Sequence, residues 1–274
     1  MVDQQQSSQW RRLVLLGAPL LGLVATILHP RWESPTTTYN AIAPQVELWT
    51  DLHVAQLVIF GLLALALYYW LEPLTGRAAR VGRIALACFV VFYPAFDALV
   101  GIGTGVMIQT AQQLDPSQLA AAQELINKFW DNVNSATVAG TVAFVGAMAW
   151  AAAVLSIVLA RTSAARRLPA AVVAIIAWLL LAMFLTPPLS PDLPPIALGT
   201  ILVVVALVMA IVAPPRILSF WLTIAALAFG FAHIFPAGTI GMVALLAADA
   251  LAEFMPSLRA TRQPVPAPSP ALES

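Results

Sequence analysis

The sequence predicts an all-α fold, a polytopic bundle of membrane-spanning helices, and three observations carry that expectation. Hydrophobic residues make up 61% of the chain and charged residues 9%, with a mean hydropathy of +0.87. A soluble domain carries roughly a quarter charged residues, so too little charge is present to coat a water-exposed surface and the bilayer is expected to be the main solvent. Apolar runs of about 20 residues, the length that crosses the hydrocarbon core, recur along the chain at 13–28, 54–71, 84–108, 136–160, 168–185, 196–213, 217–234 and 237–255. Of the 13 Lys and Arg residues, Arg11, Arg12, Arg77, Arg80, Arg83, Arg161, Arg166, Arg167, Arg216, Arg259 and Arg262 fall on one side of those runs, and only Arg31 and Lys128 fall on the other. Short cationic loops stay on the cytoplasmic face. Eight spans with both termini in the cytoplasm satisfy this charge pattern.

Each element follows in order. Trp10-Arg11-Arg12 before the first run looks like the start of a secretory signal. The run ends in His29-Pro30-Arg31-Trp32, and the nearest small-x-small site is Ala41-Ile42-Ala43, too far downstream for cleavage. A retained first helix is expected. The second span opens at His53, after an outer loop over 30–52. The third contains Pro94, Asp97 and the run Gly101-Ile102-Gly103-Thr104-Gly105. That run has no strand before it and no Lys-Ser/Thr after it, so it is no phosphate loop and no nucleotide is expected. Gly101 and Gly105 form a small-xxx-small pair that lets a neighbouring helix approach closely. An outer-surface amphipathic helix is predicted over about 116–133: Asp115-Pro116 starts it, and Leu119, Ala122, Leu125, Ile126, Phe129, Trp130 and Val133 recur at helical spacing. In the fourth span Ala139, Ala143, Ala147 and Ala151 form a stripe that should pack against the third span. The seventh and eighth form a tight hairpin about Phe235-Pro236. The eighth carries Asp249 and Glu253; if it did not span, Arg259 and Arg262 would fall outside and break the charge pattern. Trp32, Trp49 and Trp130 lie near the outer interface, and Trp10 and Trp70 near the inner one, where amphipathic rings concentrate. Residues 1–256 read as one transmembrane domain. The tail 257–274, with Pro264, Pro266, Pro268 and Pro270, is expected to be disordered.

An ionisable side chain in hydrocarbon is costly unless paired or solvated, and so is a functional candidate by default. Asp97 is the foremost of these. His29, His53 and His233 all map to the outer ends of spans. Ala25, Gly22 and Ala18 lie behind His29, and Gly230 and Ala226 behind His233. These small-residue faces turn toward other helices, so the imidazoles are expected to point into the bundle. Gln56 shares the His53 face. Together His29, His53, Gln56, Asp97 and His233 outline an outward-facing polar pocket. Three imidazoles and a carboxylate (His29, His53, His233, Asp97) suit a divalent transition metal such as zinc, although no pair has the i, i+4 spacing that places two ligands on one helix face. Asp249 is a second intramembrane acid. It is expected either to be hydrogen-bonded within the bundle or to serve as an inner station of a proton path, with Glu253 pairing with an inner Arg. The lone Cys88 forms no internal disulfide, no Cys-x-x-Cys-His motif for c-type haem is present, and no basic patch suits nucleic acid.

His29-Pro30 after the first span, His53 at the second, Asp97-Ala98-Leu99-Val100-Gly101-Ile102-Gly103-Thr104-Gly105, and His233-Ile234-Phe235-Pro236 resemble the layout of bacterial multi-pass membrane proteins of unassigned function. That resemblance covers most of the membrane region, implies a bacterial inner-membrane location and supplies no mechanism. His53, Asp97 and His233 also look like part of the zinc site of ceramidase-like membrane hydrolases. Two elements of that pattern are missing: position 237 is Ala where a second seventh-span His is needed, and Trp49 stands where a Ser is needed.

The leading expectation is a membrane protein whose outward pocket binds a small ligand or cation, with transport as its use. One alternative is a membrane-embedded metal-dependent hydrolase or transferase, and another is a non-catalytic accessory subunit. Membrane lipid is the one partner the composition requires. A protein partner and the oligomeric state are left open.

Overall fold

The computed structural model describes residues 2–30, 36–133, 138–185, 195–231 and 236–255. Among them the fold is all-helical, with no strand. The helices are α1 (Val2–Leu28), α2 (Thr38–Ile42), α3 (Val46–Leu71), α4 (Gly76–Asp97), α5 (Gly103–Ala111), α6 (Pro116–Val133), α7 (Val138–Arg161), α8 (Arg167–Leu185), α9 (Pro195–Val212), α10 (Arg216–Phe231) and α11 (Ala237–Phe254). Short 3₁₀ turns precede α3 and α8, and a π turn at Ala98–Ile102 joins α4 to α5.

Six helical segments are long and apolar enough to cross a membrane: Ser8–Leu28, Thr38–Leu71, Gly76–Ala111, Gly140–Arg161, Ala164–Met183 and Ala237–Phe254. The chain is a multi-pass helical membrane protein. The remaining two expected spans are shorter apolar helices over their described residues, Gly199–Val212 and Arg216–Gly230. Large aliphatic side chains such as Val58, Ile84, Val91, Ile175 and Ile211 are well exposed on the outside of the bundle, as lipid-facing positions should be.

The second span begins far earlier than its apolar run suggests. Much of the expected outer loop over 30–52 is helical, because Thr37 caps α2 by accepting from the Asn40 N–H and Pro44 sits in the first turn of the 3₁₀ segment leading into α3. Polar residues at 45–53 conceal this extension in a hydropathy profile. The third span also starts earlier, at Gly76, whose φ of +89° suits a residue without Cβ.

Packing follows the small-residue faces. α4 makes its most extensive contact with α7, and α10 with α11. A Cβ on Gly146 of α7 would meet the Tyr93 backbone of α4 at 2.9 Å, whereas Ala147 and Ala151 of the predicted stripe are buried beside Gly230 of α10, on the seventh expected span instead of the third. Gly241 of α11 abuts the Phe229 backbone of α10 in the same way, as a tight hairpin requires. α1 packs on α3 and α11.

At mid-height an aromatic layer fills the bundle. Phe60, Phe89, Tyr93, Trp150 and Phe229 come from α3, α4, α7 and α10, with neighbouring ring centroids 4.6 to 6.3 Å apart. The Trp150 indole N–H donates to the Ala225 carbonyl at 3.0 Å, so its single polar atom is satisfied. This layer separates a histidine end, where α1 finishes and α3 begins, from an arginine end, where α1 begins and α3 finishes.

The amphipathic helix is present as α6, starting at Pro116 with the Asp115 carbonyl accepting from the Gln118 and Leu119 N–H groups. Ile126 is buried against Tyr39, Ile42, Val46, Trp49 and Ile108. Asn127 Oδ1 accepts the Tyr39 N–H at 3.0 Å, and Glu124 and Lys128 pair at 2.6 Å on the exposed face. The helix therefore covers the histidine end from α2 to α5.

Candidate functional site

The histidine end gathers most of the polar residues singled out in the sequence. His29 follows the last turn of α1 and is buried, as are Ala18, Gly22 and Ala25 behind it. His53 lies two turns into α3 and is also buried. The two rings meet edge to face with centroids 5.1 Å apart.

The hydrogen bonds fix the rings' tautomers. His53 Nδ1–H donates to the Trp49 carbonyl at 2.6 Å, and His29 Nδ1–H donates to the Pro30 carbonyl at 3.0 Å. A carbonyl can only accept, so Nε2 of each neutral ring keeps the lone pair. Burial pushes the His29 imidazole below its ordinary value, and its bond to Pro30 opposes that shift in part.

Trp49 joins these histidines to the helix that carries Asp97. Its ring lies 4.3 Å from His53 and 5.2 Å from His29, centroid to centroid. Its indole N–H donates to the Gly101 carbonyl at 2.7 Å. Gly101 belongs to the π turn, in which the Gly103 N–H reaches back to the Ala98 carbonyl. Turns of this kind displace carbonyls from the regular ladder and recur at functional sites. A Cβ on Gly101 would overlap the His53 ring, and one on Gly105 would overlap the Thr50 hydroxyl. The predicted small-xxx-small pair is thus the surface on which α3 lies.

Asp97, one turn before Gly101, is 1% exposed, and Gln56 of α3 and Thr104 of α5 are buried at 2% and 0%. Among the described residues, Gln56 Oε1 and Thr104 Oγ have no hydrogen-bond partner. Buried polar atoms are normally satisfied, so an orphan points to water or a ligand. Nearby, the hydroxyls of Thr26 and Thr239 bond at 3.1 Å between α1 and α11.

His233 lies outside the described residues, so the fourth corner of the expected pocket and the full three-histidine metal set do too. Among the described residues no three His, Cys, Asp or Glu side chains gather closely enough to hold a metal ion.

Asp249 and Glu253 sit at the arginine end, beyond the aromatic layer. Asp249 is fully buried, and its Oδ1 accepts the Trp70 indole N–H at 2.5 Å. Glu253 pairs with Arg12 at 3.2 Å, the inner Arg partnership expected for it.

Trp49 and Trp70 have different roles from those expected of interfacial anchors. Both are buried, at 1% and 5% exposure, and each spends its N–H on an internal acceptor. The signal for Trp49 is legible in retrospect: it stands one turn before His53 on the same face of α3. The π turn had no comparable sequence signal beyond Pro94 and the glycines. Comparison with family models, with curated proteins and with solved structures finds no match, so the functional reading rests on this geometry.

Proposed function

We propose that this chain is a bacterial inner-membrane protein of eight spans, with both termini in the cytoplasm, whose histidine end forms an outward-facing site for a small polar ligand or cation. The side assignment comes from the Arg distribution. The single observation that carries the site is the meeting of two buried imidazoles from separate helices, His29 and His53, the second of which lies on the π turn that follows Asp97.

The chemistry suits such a ligand. Each histidine Nε2 carries a lone pair, Asp97 supplies a carboxyl group, and the orphaned Gln56 Oε1 and Thr104 Oγ add two oxygen acceptors. With no three of the described imidazole and carboxyl groups converging on one point, these nitrogen and oxygen acceptors suit a hydrogen-bond donor or a monovalent cation rather than a transition metal. α6 packs over α2 and α5 at this end, and the aromatic layer lies on the other side of the histidines. Access is then from the outer face. Movement through the protein would require the bundle to rearrange around the aromatic layer.

The test is flux of protons, Na⁺ and K⁺ into proteoliposomes, with wild-type protein compared with Asp97→Asn and His53→Ala. Loss of one contact to a charged group corresponds to a flux decrease of about tenfold at subsaturating cation. Equal flux for all three proteins would remove Asp97 and His53 from any coupling role.

A further inference from the structure

We infer that the arginine end holds a second site, a phosphate-binding pocket at the level of the lipid headgroups, independent of the histidine-end reading. A cavity of about 250 Å³ opens between α1, the end of α3, the end of α7 and α11. Arg11, Leu15, Tyr69, Trp70, Arg161 and Ala252 contribute to its wall, with no carboxylate among the described residues that line it. Drug-sized ligands occupy roughly 300–1,000 Å³, so this space suits a compact group.

Two guanidinium groups face the space from stacked positions. Arg161 lies 5.2 Å from the Trp70 ring centroid, and Arg11 lies 5.5 Å from that of Tyr69. Aromatic faces under guanidinium groups hold their planes by cation–π attraction. The scaffold beneath is also held. Trp70 is tied to buried Asp249, Arg11 Nη2 donates to the Tyr69 carbonyl at 2.7 Å, and Arg83 donates to the Leu71 and Leu74 carbonyls at 2.7 and 2.8 Å, closing the end of α3. Arg83 and Arg12 are engaged away from the cavity, whereas Arg11 and Arg161 both contribute to its wall. Buried Arg11 Nε has no hydrogen-bond partner among the described residues. The Glu72 carboxylate reaches Arg11 Nη1 only at 3.6 Å and is half exposed, a weak pairing that an incoming anion can displace.

The chemistry selects a phosphate. A guanidinium fork matches its oxygens in a bidentate manner. Arg77, Arg80, Arg166 and Arg167 fall on the same side of the apolar runs as Arg11 and Arg161, a cationic face that attracts anions. Tyr69, Trp70 and the Arg side chains lie near helix ends, where headgroups reside. The phosphate is carried either by a phospholipid of that leaflet or by a soluble phosphate.

Native mass spectrometry of the delipidated full-length protein distinguishes these sources, with dioleoyl phosphatidylglycerol, dioleoylglycerol and inorganic phosphate as probes. Wild type should retain one phosphatidylglycerol in preference to dioleoylglycerol. Arg11→Gln and Arg161→Gln should each weaken that retention about tenfold or more, with Arg161→Lys retaining part of it. Ala252→Leu, which narrows the cavity and keeps both guanidinium groups, should also weaken it. Binding of inorganic phosphate with the same Arg dependence, without preference for phosphatidylglycerol over dioleoylglycerol, assigns the pocket to a soluble phosphate. Equal retention of both lipids together with no Arg-dependent phosphate binding overturns the inference. So does phosphatidylglycerol retention unchanged in both Arg→Gln variants and in Ala252→Leu.

Discussion

The two ends of the bundle handle buried polarity in opposite ways. At the histidine end, neutral donors and acceptors meet through close backbone approach: His53 lies on Gly101, and Trp49 reaches the Gly101 carbonyl. At the arginine end, charged groups meet through long side chains, Arg12 with Glu253 and Arg11 with Glu72, and the neutral Trp70 indole donates to the Asp249 carboxyl group. The same residue type, tryptophan, thus satisfies a carbonyl at one end and a carboxylate at the other. Where solvent and headgroups are near, flexible charged side chains can find partners without constraining the helices. Deeper beneath a covering helix, the helices must be brought close enough for short side chains to meet, and glycine supplies that closeness.

Three measurements break or sharpen this contrast. The largest effect is expected from Gly101→Ala. Its Cβ overlaps the His53 ring, so α3 must move or the ring must turn, at a cost of about 3 kcal/mol, the upper range for overpacking. Thermal melting in detergent measures it, and an unchanged midpoint would show that α3 and the π turn are less closely joined than described. Next are Trp49→Phe and Trp70→Phe, each of which keeps a ring and removes a donor. Leaving the Gly101 carbonyl or the Asp249 carboxylate without that donor should cost about 2 kcal/mol. Trp70→Asp249 involves an ionisable acceptor, so Asp249→Asn on a Trp70→Phe background should recover part of the loss. Trp49 has no such rescue. If both losses are recovered by Asp249→Asn, the two ends are not separate.

The smallest effect concerns pH. Burial holds the folded His29 value below its ordinary 6.5. Between the folded value and 6.5 the unfolded chain binds more protons, so stability falls as pH drops below about 6.5 and levels off below the folded value. His29→Gln should flatten that part of the stability profile. A profile that keeps its slope in the variant would assign the dependence to another group.

Much of this was legible in one dimension. Composition and apolar run length require a helical membrane protein. The stripe behind His29 and the Gly101–Gly105 pair told which faces turn inward, because small residues are favoured where helices must approach. The amphipathic period of 116–133 and the pairing of Glu253 with an Arg were equally readable, since both depend on local spacing and charge. Span boundaries were less so: polar residues at 45–53 belong to α3, and hydropathy alone does not register a polar helical turn that is covered by other helices.

What the sequence determined by itself is the solvent this chain requires and the faces its helices bury, because both follow from side-chain polarity and a fixed helical period. What only tertiary structure decided is which buried groups meet. The contact of His29 with His53, the use of Trp49 and Trp70 as internal donors, and the gathering of Arg11 with Arg161 join residues distant in the chain. Their proximity depends on helix order and crossing, and no local periodicity encodes it.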